Sequence, residues 1–199
     1  MRNLIITLTI FLSLQFSSKA QGITSPLRLN IEIDILQPVF GGYGGTLGLE
    51  KGQFGWGLMA FSSRLSNSSR NFIMKGADDF NVHNWGVELY GDFFFKKTHK
   101  GFYIGGLVSL DGYRMKQEKE LKGSILGLYL VPRVGYRWVP VPKKVKWLYI
   151  QPSFAVPIKV WDDASFFNED IKLSRAIILP MLTIGMRLNL DEKCAKKME

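Results

Sequence analysis

Residues 27–36 read LRLNIEIDIL, and this short stretch sets the interpretation of the whole chain. Apolar side chains occupy every second position from Leu27 to Ile35, and charged or amide side chains occupy the positions between them. Successive side chains of a β-strand point to opposite faces, so the alternation predicts a strand with one apolar face and one charged face.

The same period of two recurs along most of the remaining chain, and no segment shows a convincing helical period. Together with 27–36, the predicted strands are 44–51, 53–62, 81–93, 101–112, 124–138, 146–160 and 174–190. These segments fill more than half of the chain beyond residue 20. So much strand is unusual in a mixed globular domain but normal in a β-barrel.

The connections between these strands also follow a pattern. The turn at Gly52 and the segments 94–100 and 139–145 lie on one side, and longer, more polar segments lie on the other: 37–43, 63–80, 113–123 and 161–173. Transmembrane β-barrels have this asymmetry, with short turns at the periplasmic end and long loops outside. An even number of strands also brings both ends of the barrel to the periplasmic side.

The polar face of the strands is predicted to line the inside of the barrel. It carries most of the strand glycines, which a narrow lumen filled with side chains needs for close approach. It also mixes acids and bases in equal number, so that they can pair where an unpaired buried charge would be expensive. The alternative is a soluble barrel on which these charges are solvated. The predicted lumen charge network consists of Arg28, Glu32, Asp34, Glu50, Glu88, Asp92, Asp111, Arg133, Arg137, Lys159, Arg175 and Arg187.

Aromatic residues cluster near the predicted strand ends, as in the interfacial girdles of membrane barrels. Phe61, Tyr113 and Trp161 lie near the long-loop side. A second group lies near the short-turn side: Phe54, Trp56, Phe93, Phe95, Phe102, Trp138 and Trp147. The sequence predicts that the two groups mark the two edges of an apolar belt.

The first twenty residues have the layout of a secretory signal peptide. Arg2 precedes an apolar run that ends near Phe16, and small residues lead to a predicted cleavage site after Ala20. The run is shorter than the roughly 20 residues that a membrane-crossing helix needs. With this cleavage site, the alternating strands predict a barrel domain over 21–190, followed by a polar periplasmic tail over 191–199.

The last predicted strand ends with the sequence TIGMRLNL, which carries a polar residue, a glycine and two apolar residues at fixed spacing. It is similar to the last-strand signal that the barrel-assembly machinery reads, here on Thr183, Gly185, Leu188 and Leu190. With this motif and the eight alternating segments, the chain resembles the small eight-stranded outer-membrane β-barrel proteins of Gram-negative bacteria. The resemblance implies an all-β fold, a closed eight-stranded antiparallel up-and-down transmembrane β-barrel in the bacterial outer membrane. It also implies contact with outer-membrane lipids and with the barrel-assembly machinery.

Prolines inside the predicted strands depart from this pattern, because each removes a hydrogen-bond donor from a closed sheet. Pro132 and Pro152 are equidistant from the middle of one predicted turn, which predicts that they face each other across a weakened seam. Such a seam is either a lateral opening that admits a lipid tail or a bulge in a rigid barrel.

The favoured function is non-catalytic. Eight strands leave little room for a conducting pore. We expect a barrel that presents the loops 63–80, 113–123 and 161–173 to a protein partner, or one that serves as an accessory subunit of an envelope assembly.

The alternative is an outer-membrane enzyme that acylates or deacylates lipid A. His83 would be its general base, with Asp79 or Asp78 as the orienting acid and Ser62 or Ser63 as the nucleophile. Nothing in their spacing demands this arrangement. A third reading is a soluble barrel that binds a lipid.

No cofactor and no metal site are predicted. Cys194 is the only Cys, so no disulfide framework can form within the chain. One Cys and two distant histidines are too few ligands for a zinc site. The formal net charge of +9 does not predict nucleic-acid binding, because part of the excess falls in the short turns and the tail. His99 lies in one such turn, Lys96-Lys97-Thr98-His99-Lys100, and is expected to be solvated.

Overall fold

The computed structural model describes residues 25–117, 120–141, 145–163 and 171–190. The signal peptide predicted over 1–20 and the tail predicted over 191–199 lie outside these ranges.

A 3-10 helix covers Gln37–Phe40 and helix α1 covers Asn67–Ile73. Among the described residues, no helix has the length and apolar character that crossing a bilayer requires. The strands are β1 (Arg28–Asp34), β2 (Gly42–Lys51), β3 (Phe54–Arg64), β4 (Met74–Lys75), β5 (Asn81–Phe94), β6 (Gly101–Gln117), β7 (Glu120–Arg137), β8 (Leu148–Ala155), β9 (Ile158–Asp162), β10 (Lys172–Leu173) and β11 (Leu179–Asn189).

Eight antiparallel strand positions close into a ring. The order around it is β6, β5, β3, β2, β1, β11, β8 and β7, and β7 pairs with β6 to complete the circle. β9 continues β8 after a break at Val156 and Pro157, and both pair with β7, so the two strands share one position. The structure therefore confirms the predicted fold, a closed eight-stranded antiparallel up-and-down β-barrel.

The strand β1 has the alternation that its sequence predicts. Ile31 and Ile33 point outward with 41% and 58% of their surface exposed, whereas Asn30 and Glu32 beside them are buried. Leu89 in the middle of β5 is likewise 62% exposed. The apolar face of the ring is therefore its outer face.

The two ends of the barrel differ, and we name them lower and upper. The lower end holds the turn at Gly52, the turn 95–100 and the connection between β7 and β8. The upper end carries a cap, built from α1 and from the small sheet of β4 and β10. Met74 and Leu173 of this sheet pack into one buried cluster with Val82 of β5, which fixes the cap to the barrel.

Several predicted boundaries differ from the structure, three of them by many residues. The predicted strand 146–160 is interrupted, because Pro157 has no N–H for the ladder. The predicted strand 174–190 begins only at Leu179, since β10 pairs with β4 and draws the preceding chain into the cap. The predicted loop 113–123 is mostly strand, because β6 and β7 continue into a long hairpin.

The predicted juxtaposition of Pro132 and Pro152 is wrong. Pro132 lies beside Val156, whose N–H donates to the Pro132 carbonyl at 3.0 Å. Pro152 pairs with Leu182 of β11 instead. The ladder pairs Arg133 with Ala155 and Gly135 with Ser153, so the register between β7 and β8 is shifted by four positions from the one that equal spacing about residue 142 predicts.

Candidate functional site

Six charged side chains fill the lower half of the lumen. Arg137 lies at their centre and is 2% exposed. Its guanidinium contacts the Glu50 carboxylate and lies 3.3 Å from Glu32 Oε1. Its Nε donates to Gln151 Oε1 at 2.6 Å, and the Tyr149 ring packs against it at 4.0 Å. These contacts replace the water that a buried guanidinium needs. We name the group the lower network: Glu32, Glu50, Asp92, Arg133, Arg137 and Arg187.

A bidentate ion pair holds the side of the lower network next to β5. Arg133 Nε donates to Asp92 Oδ1 at 2.9 Å, and its NH2 donates to Oδ2 at 2.6 Å. This geometry is among the strongest that an arginine and a carboxylate can form. Arg133 also packs on the Tyr90 ring, 4.8 Å from its centroid. With three acids and three bases, the lower network is balanced in charge.

His99 closes the lower end of the barrel, and the expectation that it is solvated is wrong. It is 1% exposed and packs edge-on against Phe94, with 4.7 Å between the ring centroids. Its φ of 51° is left-handed, a conformation that His adopts more readily than most residues. Its Nδ1 lies 3.5 Å from Glu50 Oε2 and 3.4 Å from the Arg28 guanidinium. Sequence reasoning missed this residue because its neighbours are lysines.

The charge of His99 is decided by this burial. Burial lowers the pKa of His99 to about 4, since the opposing attraction of Glu50 is weaker and Arg137 acts with the burial. The imidazole is therefore neutral at pH 7, and its Nδ1 can accept a hydrogen bond from Arg28. The same turn is tied to β11, because Arg187 donates to the Thr98 carbonyl at 3.0 Å.

Tyrosine rings cross the lower lumen and pack directly on glycines. A Cβ added at Gly185 would overlap the ring of Tyr149, and one added at Gly135 would overlap the ring of Tyr103. Both rings are fully buried, and the Tyr149 hydroxyl donates to Glu32 Oε1 at 2.5 Å. The glycines therefore provide the space in which the lower network is packed.

The upper half of the lumen is hollow. A cavity of about 420 Å³ lies beneath the cap, within the size range of small-molecule sites. Its wall is mostly apolar and is contributed by several strands and by α1. We name it the upper cavity, and its wall includes Met59, Leu107, Val131, Met181 and Phe72.

Three carboxylates face the upper cavity: Asp34, Glu88 and Asp111. Hydroxyl groups of Ser109 and Tyr113 donate to Asp111, the second at 3.3 Å. Within the described ranges, none of the three acids forms an ion pair, and the cavity wall holds no Lys, Arg or His. The same ranges contain no group of three or more His, Cys, Asp or Glu that could hold a metal ion. The upper cavity is therefore acidic.

The remaining bases of the predicted lumen network do not balance these acids. Lys159 pairs with Asp162, and Arg175 is exposed beside the cap. Arg28 lies at the lower end, where its Nε donates to Asn189 Oδ1 at 3.2 Å. The structure therefore divides the predicted network into a lower part, where the three acids lie beside arginines, and an acidic upper part, because the basic side chains are not distributed evenly along the barrel axis.

Near the upper end, on the outer face, Ser62 and His83 lie together. Ser62 Oγ is 3.0 Å from His83 Nε2, and both side chains are half-buried. Asp79 is exposed in the loop before β5, and no hydrogen bond or ion pair among the described residues joins it to His83. Asp78 is also exposed and lies 3.9 Å from Arg70. The structure thus brings two of the three predicted catalytic residues into contact.

Aromatic side chains surround the outer face near the lower end, where all seven predicted girdle residues point outward. At the upper end the prediction is partly wrong. Phe61 and Tyr113 occupy inward-facing positions of β3 and β6 and line the upper cavity. Trp161 is 52% exposed, as the prediction requires. The outward group at the lower end is Phe54, Trp56, Phe93, Phe95, Phe102, Trp138 and Trp147.

The last-strand motif is divided between the two faces of β11. Thr183 and Gly185 are buried in the lumen, Leu188 points outward, and Leu190 follows the strand end. Gly185 has a packing role of its own against Tyr149. Recognition of the motif by the barrel-assembly machinery stays a prediction.

Comparison with known proteins finds similar structures but no similar sequence. No protein-family model and no curated protein matches the chain. The crystal structure of Neisserial surface protein A is 10% identical, with a TM-score of 0.47 over 82% of this chain and 96% of that one. A major outer membrane protein from Thermus thermophilus is 12% identical, with a TM-score of 0.49 over 82% and 99%. Ail, the attachment invasion locus protein of Yersinia pestis, in complex with the heparin analogue sucrose octasulfate, is 13% identical, with a TM-score of 0.40 over 83% and 97%.

Proposed function

We propose that this chain is a small, non-catalytic outer-membrane β-barrel whose lumen is blocked in its lower half, and which presents its upper end to partners outside the cell. One observation carries the proposal: the apolar residues of the ring are outside and its charges are inside. A soluble protein that exposed such a belt to water would tend to associate. In a bilayer the same belt lies in apolar surroundings, and the eight described strand positions pair with their neighbours around a closed ring.

The belt extends around the barrel rather than forming a local patch. Side chains from five different strands each expose half of their surface or more: Ile33, Leu47, Leu89, Ile104 and Phe154. The aromatic side chains at the lower end fit the interface that borders such a belt. Membrane barrels keep their short turns in the periplasm, so the lower end is the periplasmic end and the cap faces outside.

The decisive test compares two leucines of equal exposure. Leu89 lies in the middle of the belt and is 62% exposed, and Leu121 lies near the tip of the β6–β7 hairpin and is 61% exposed. An arginine on the lipid face near the bilayer midplane costs about 2–4 kcal/mol, so we expect Leu89→Arg to destabilise the barrel by this amount in lipid vesicles. Leu121→Arg should change the free energy of unfolding by less than about 0.5 kcal/mol. Equal tolerance of both substitutions would favour a soluble barrel.

Cell fractionation tests the location directly. The protein should be recovered with the outer membrane, and its unheated, folded form should migrate differently from the heated form on a gel. Recovery of the full chain in the soluble periplasmic fraction would contradict the proposal. The lower network and His99 fill the lower half of the lumen, so reconstitution in planar bilayers should give no ion channel.

The upper end supplies the contact surface in this proposal. Val39, Phe72 and Leu121 are apolar, lie outside the belt and are 74%, 52% and 61% exposed. Apolar side chains in such positions are typical of interaction sites. A photo-crosslinking amino acid at each of these positions should capture an envelope partner in intact cells, while the same amino acid at the exposed Lys97 of the lower end should not. Identical products from both ends would contradict contact through the upper end.

The contact between Ser62 and His83 favours a second candidate function, a lipid-modifying enzyme. A hydroxyl within hydrogen-bond reach of an imidazole is the minimum arrangement for a nucleophile and its base. The pair lies on the outer face near the upper end, which in the proposed orientation is the level of the outer leaflet. Mass spectrometry of lipid A from the deletion strain and from His83→Ala and Ser62→Ala strains tests this candidate, and unchanged acylation in all three would end it.

A further inference from the structure

We propose that the upper cavity binds an amphiphile that has a single hydrocarbon chain and a cationic head group. The chain lies against the apolar wall, and the cation lies beside Glu88 and Asp111. The site itself goes beyond the proposed function, whereas the route by which a lipid-borne molecule reaches it rests on that function.

The apolar part of the ligand is identified by the wall. Met59, Leu107, Val131 and Met181 come from β3, β6, β7 and β11, so apolar atoms surround the cavity on several sides. Ligand sites are typically lined by apolar side chains with a few polar groups that fix orientation. A cavity of about 420 Å³ with this lining suits one flexible chain.

The cationic part is identified by the charges. In the β5–β6 register Glu88 lies opposite Ser109 and Asp111 lies opposite Gly86, so the two acids are neighbours on the inner face of adjacent strands. Two carboxylates that are withdrawn from water without a cation raise the free energy of the folded protein. Arg133, on the next strand, is held in its bidentate pair with Asp92. A bound cation would supply the missing charge, whereas a fatty acid would bring a third carboxylate to the same place.

The cavity also reaches the outer face of the barrel. Ile178 lines it and is 64% exposed. At this position few hydrogen bonds join β11 to β8 and β9. Pro157 and Pro180 have no N–H to donate, and the hydrogen bond from the Ile177 N–H to the Pro157 carbonyl is long, at 3.4 Å. Pro152 lies lower in the same strand pair. In a membrane, this seam would let a hydrocarbon chain enter from the side.

The test uses the full barrel, folded in a neutral saccharide detergent, and native mass spectrometry with three probes of equal chain length. Dodecylammonium, dodecanol and dodecanoate are offered at the same concentration. We expect dodecylammonium to bind about tenfold more tightly than dodecanol, because one charge-assisted hydrogen bond adds about this much affinity. Dodecanoate should bind least. Equal binding of the ammonium and the carboxylate would overturn the proposal.

Variants separate the two parts of the site. The double variant Glu88→Gln, Asp111→Asn should reduce dodecylammonium binding to the level of dodecanol without changing dodecanol binding. Asp78→Asn, which removes an exposed acid, should leave all three probes unchanged. A preference for the ammonium that survives the double variant would overturn the assignment of the cation site.

Filling the cavity tests where the chain lies. Leu107→Trp should abolish binding of all three probes, and Ala155→Leu, on another strand, provides a second filled variant if the first does not fold. The heat-modifiable shift on a gel shows which variants are folded. Unchanged binding to a folded, filled variant would overturn the proposal.

The lateral route is tested separately. The barrel is placed in lipid nanodiscs whose bilayer already contains dodecylammonium, and bound probe is counted after ejection from the disc. Binding in detergent together with none in nanodiscs would overturn the route alone. Recovery of the protein in the soluble periplasm would overturn the proposed function and the route, but not the site measured on the isolated barrel.

Discussion

The lower and upper halves of the lumen are built by the same ring of strands, yet one is filled and neutral and the other is hollow and acidic. In the lower half Arg137 and Arg133 each contact carboxylates directly. In the upper half Glu88 and Asp111 face hydroxyl groups and a cavity. Equal numbers of acidic and basic residues in a barrel interior therefore do not imply that each acid has a base beside it.

The two halves differ in how their inward side chains meet across the lumen. Arg137, Tyr103 and Tyr149 are long enough to cross the lower lumen and are all buried. The upper wall combines large side chains such as Tyr113 with short ones at Ser109 and Ala155, and a cavity of about 420 Å³ remains between them. The cap covers this space from above instead of filling it.

Removal of Arg137 should break the lower half and is the largest effect that we expect. Arg137→Met keeps most of the side-chain volume but leaves Glu50 and Glu32 without their shared cation. Breaking a buried ion pair in this way costs about 3–5 kcal/mol, which urea unfolding in lipid vesicles would measure. Arg114→Met, which removes an exposed arginine, should cost less than about 0.5 kcal/mol. Equal losses would mean that the lower network does not stabilise the barrel.

Acid should weaken the lower end through His99. Because its pKa is about 4 in the folded protein and near 6.5 when unfolded, the unfolded chain binds more protons between these values. The free energy of unfolding should therefore fall as the pH drops from about 6.5 to about 4, by at most about 3 kcal/mol from this residue. His99→Gln should flatten the slope in that window, and His83→Gln, the matched control, should leave it steep. The same slope in wild type and His99→Gln would contradict the burial of a neutral imidazole.

A single methyl group should distinguish the packed lumen from the outer face. Gly185→Ala places a Cβ in the ring of Tyr149, whereas an added Cβ at Gly91 meets nothing within 4 Å. Overpacking of this kind costs about 1–3 kcal/mol, so Gly185→Ala should lower the urea midpoint and Gly91→Ala should not. A smaller effect at Gly185 than at Gly91 would show that the lower half is not tightly packed.

The smallest effect is expected in the upper half. Glu88→Gln removes a carboxylate that has no described cation partner, so the free energy of unfolding should stay unchanged or rise by up to about 1 kcal/mol. Asp92→Asn makes the same chemical change in the lower half, where it leaves Arg133 without its partner and should cost about 3 kcal/mol or more. A loss at Glu88 as large as the loss at Asp92 would remove the distinction between the two halves.

Much of the ring was predictable from single strands, because the alternation in 27–36 depends only on neighbouring residues. The prediction failed where a position depends on distant parts of the chain. Pro132 and Pro152 are offset because the β7–β8 register is shifted by four positions from the one that equal spacing about residue 142 predicts. His99 is buried because a lumen lies beside its turn.

The sequence by itself determined that the chain forms strands with one apolar face, and that these strands are numerous enough to close into a barrel. Only the tertiary structure decided which charges meet, where the lumen is empty and which tyrosine packs on which glycine. Tyr149 and Glu32, which form one hydrogen bond, are 117 positions apart in the chain. Alternation is a local property of the backbone, whereas contacts across a lumen depend on the register of every strand between the two residues, and the sequence pattern leaves that register open.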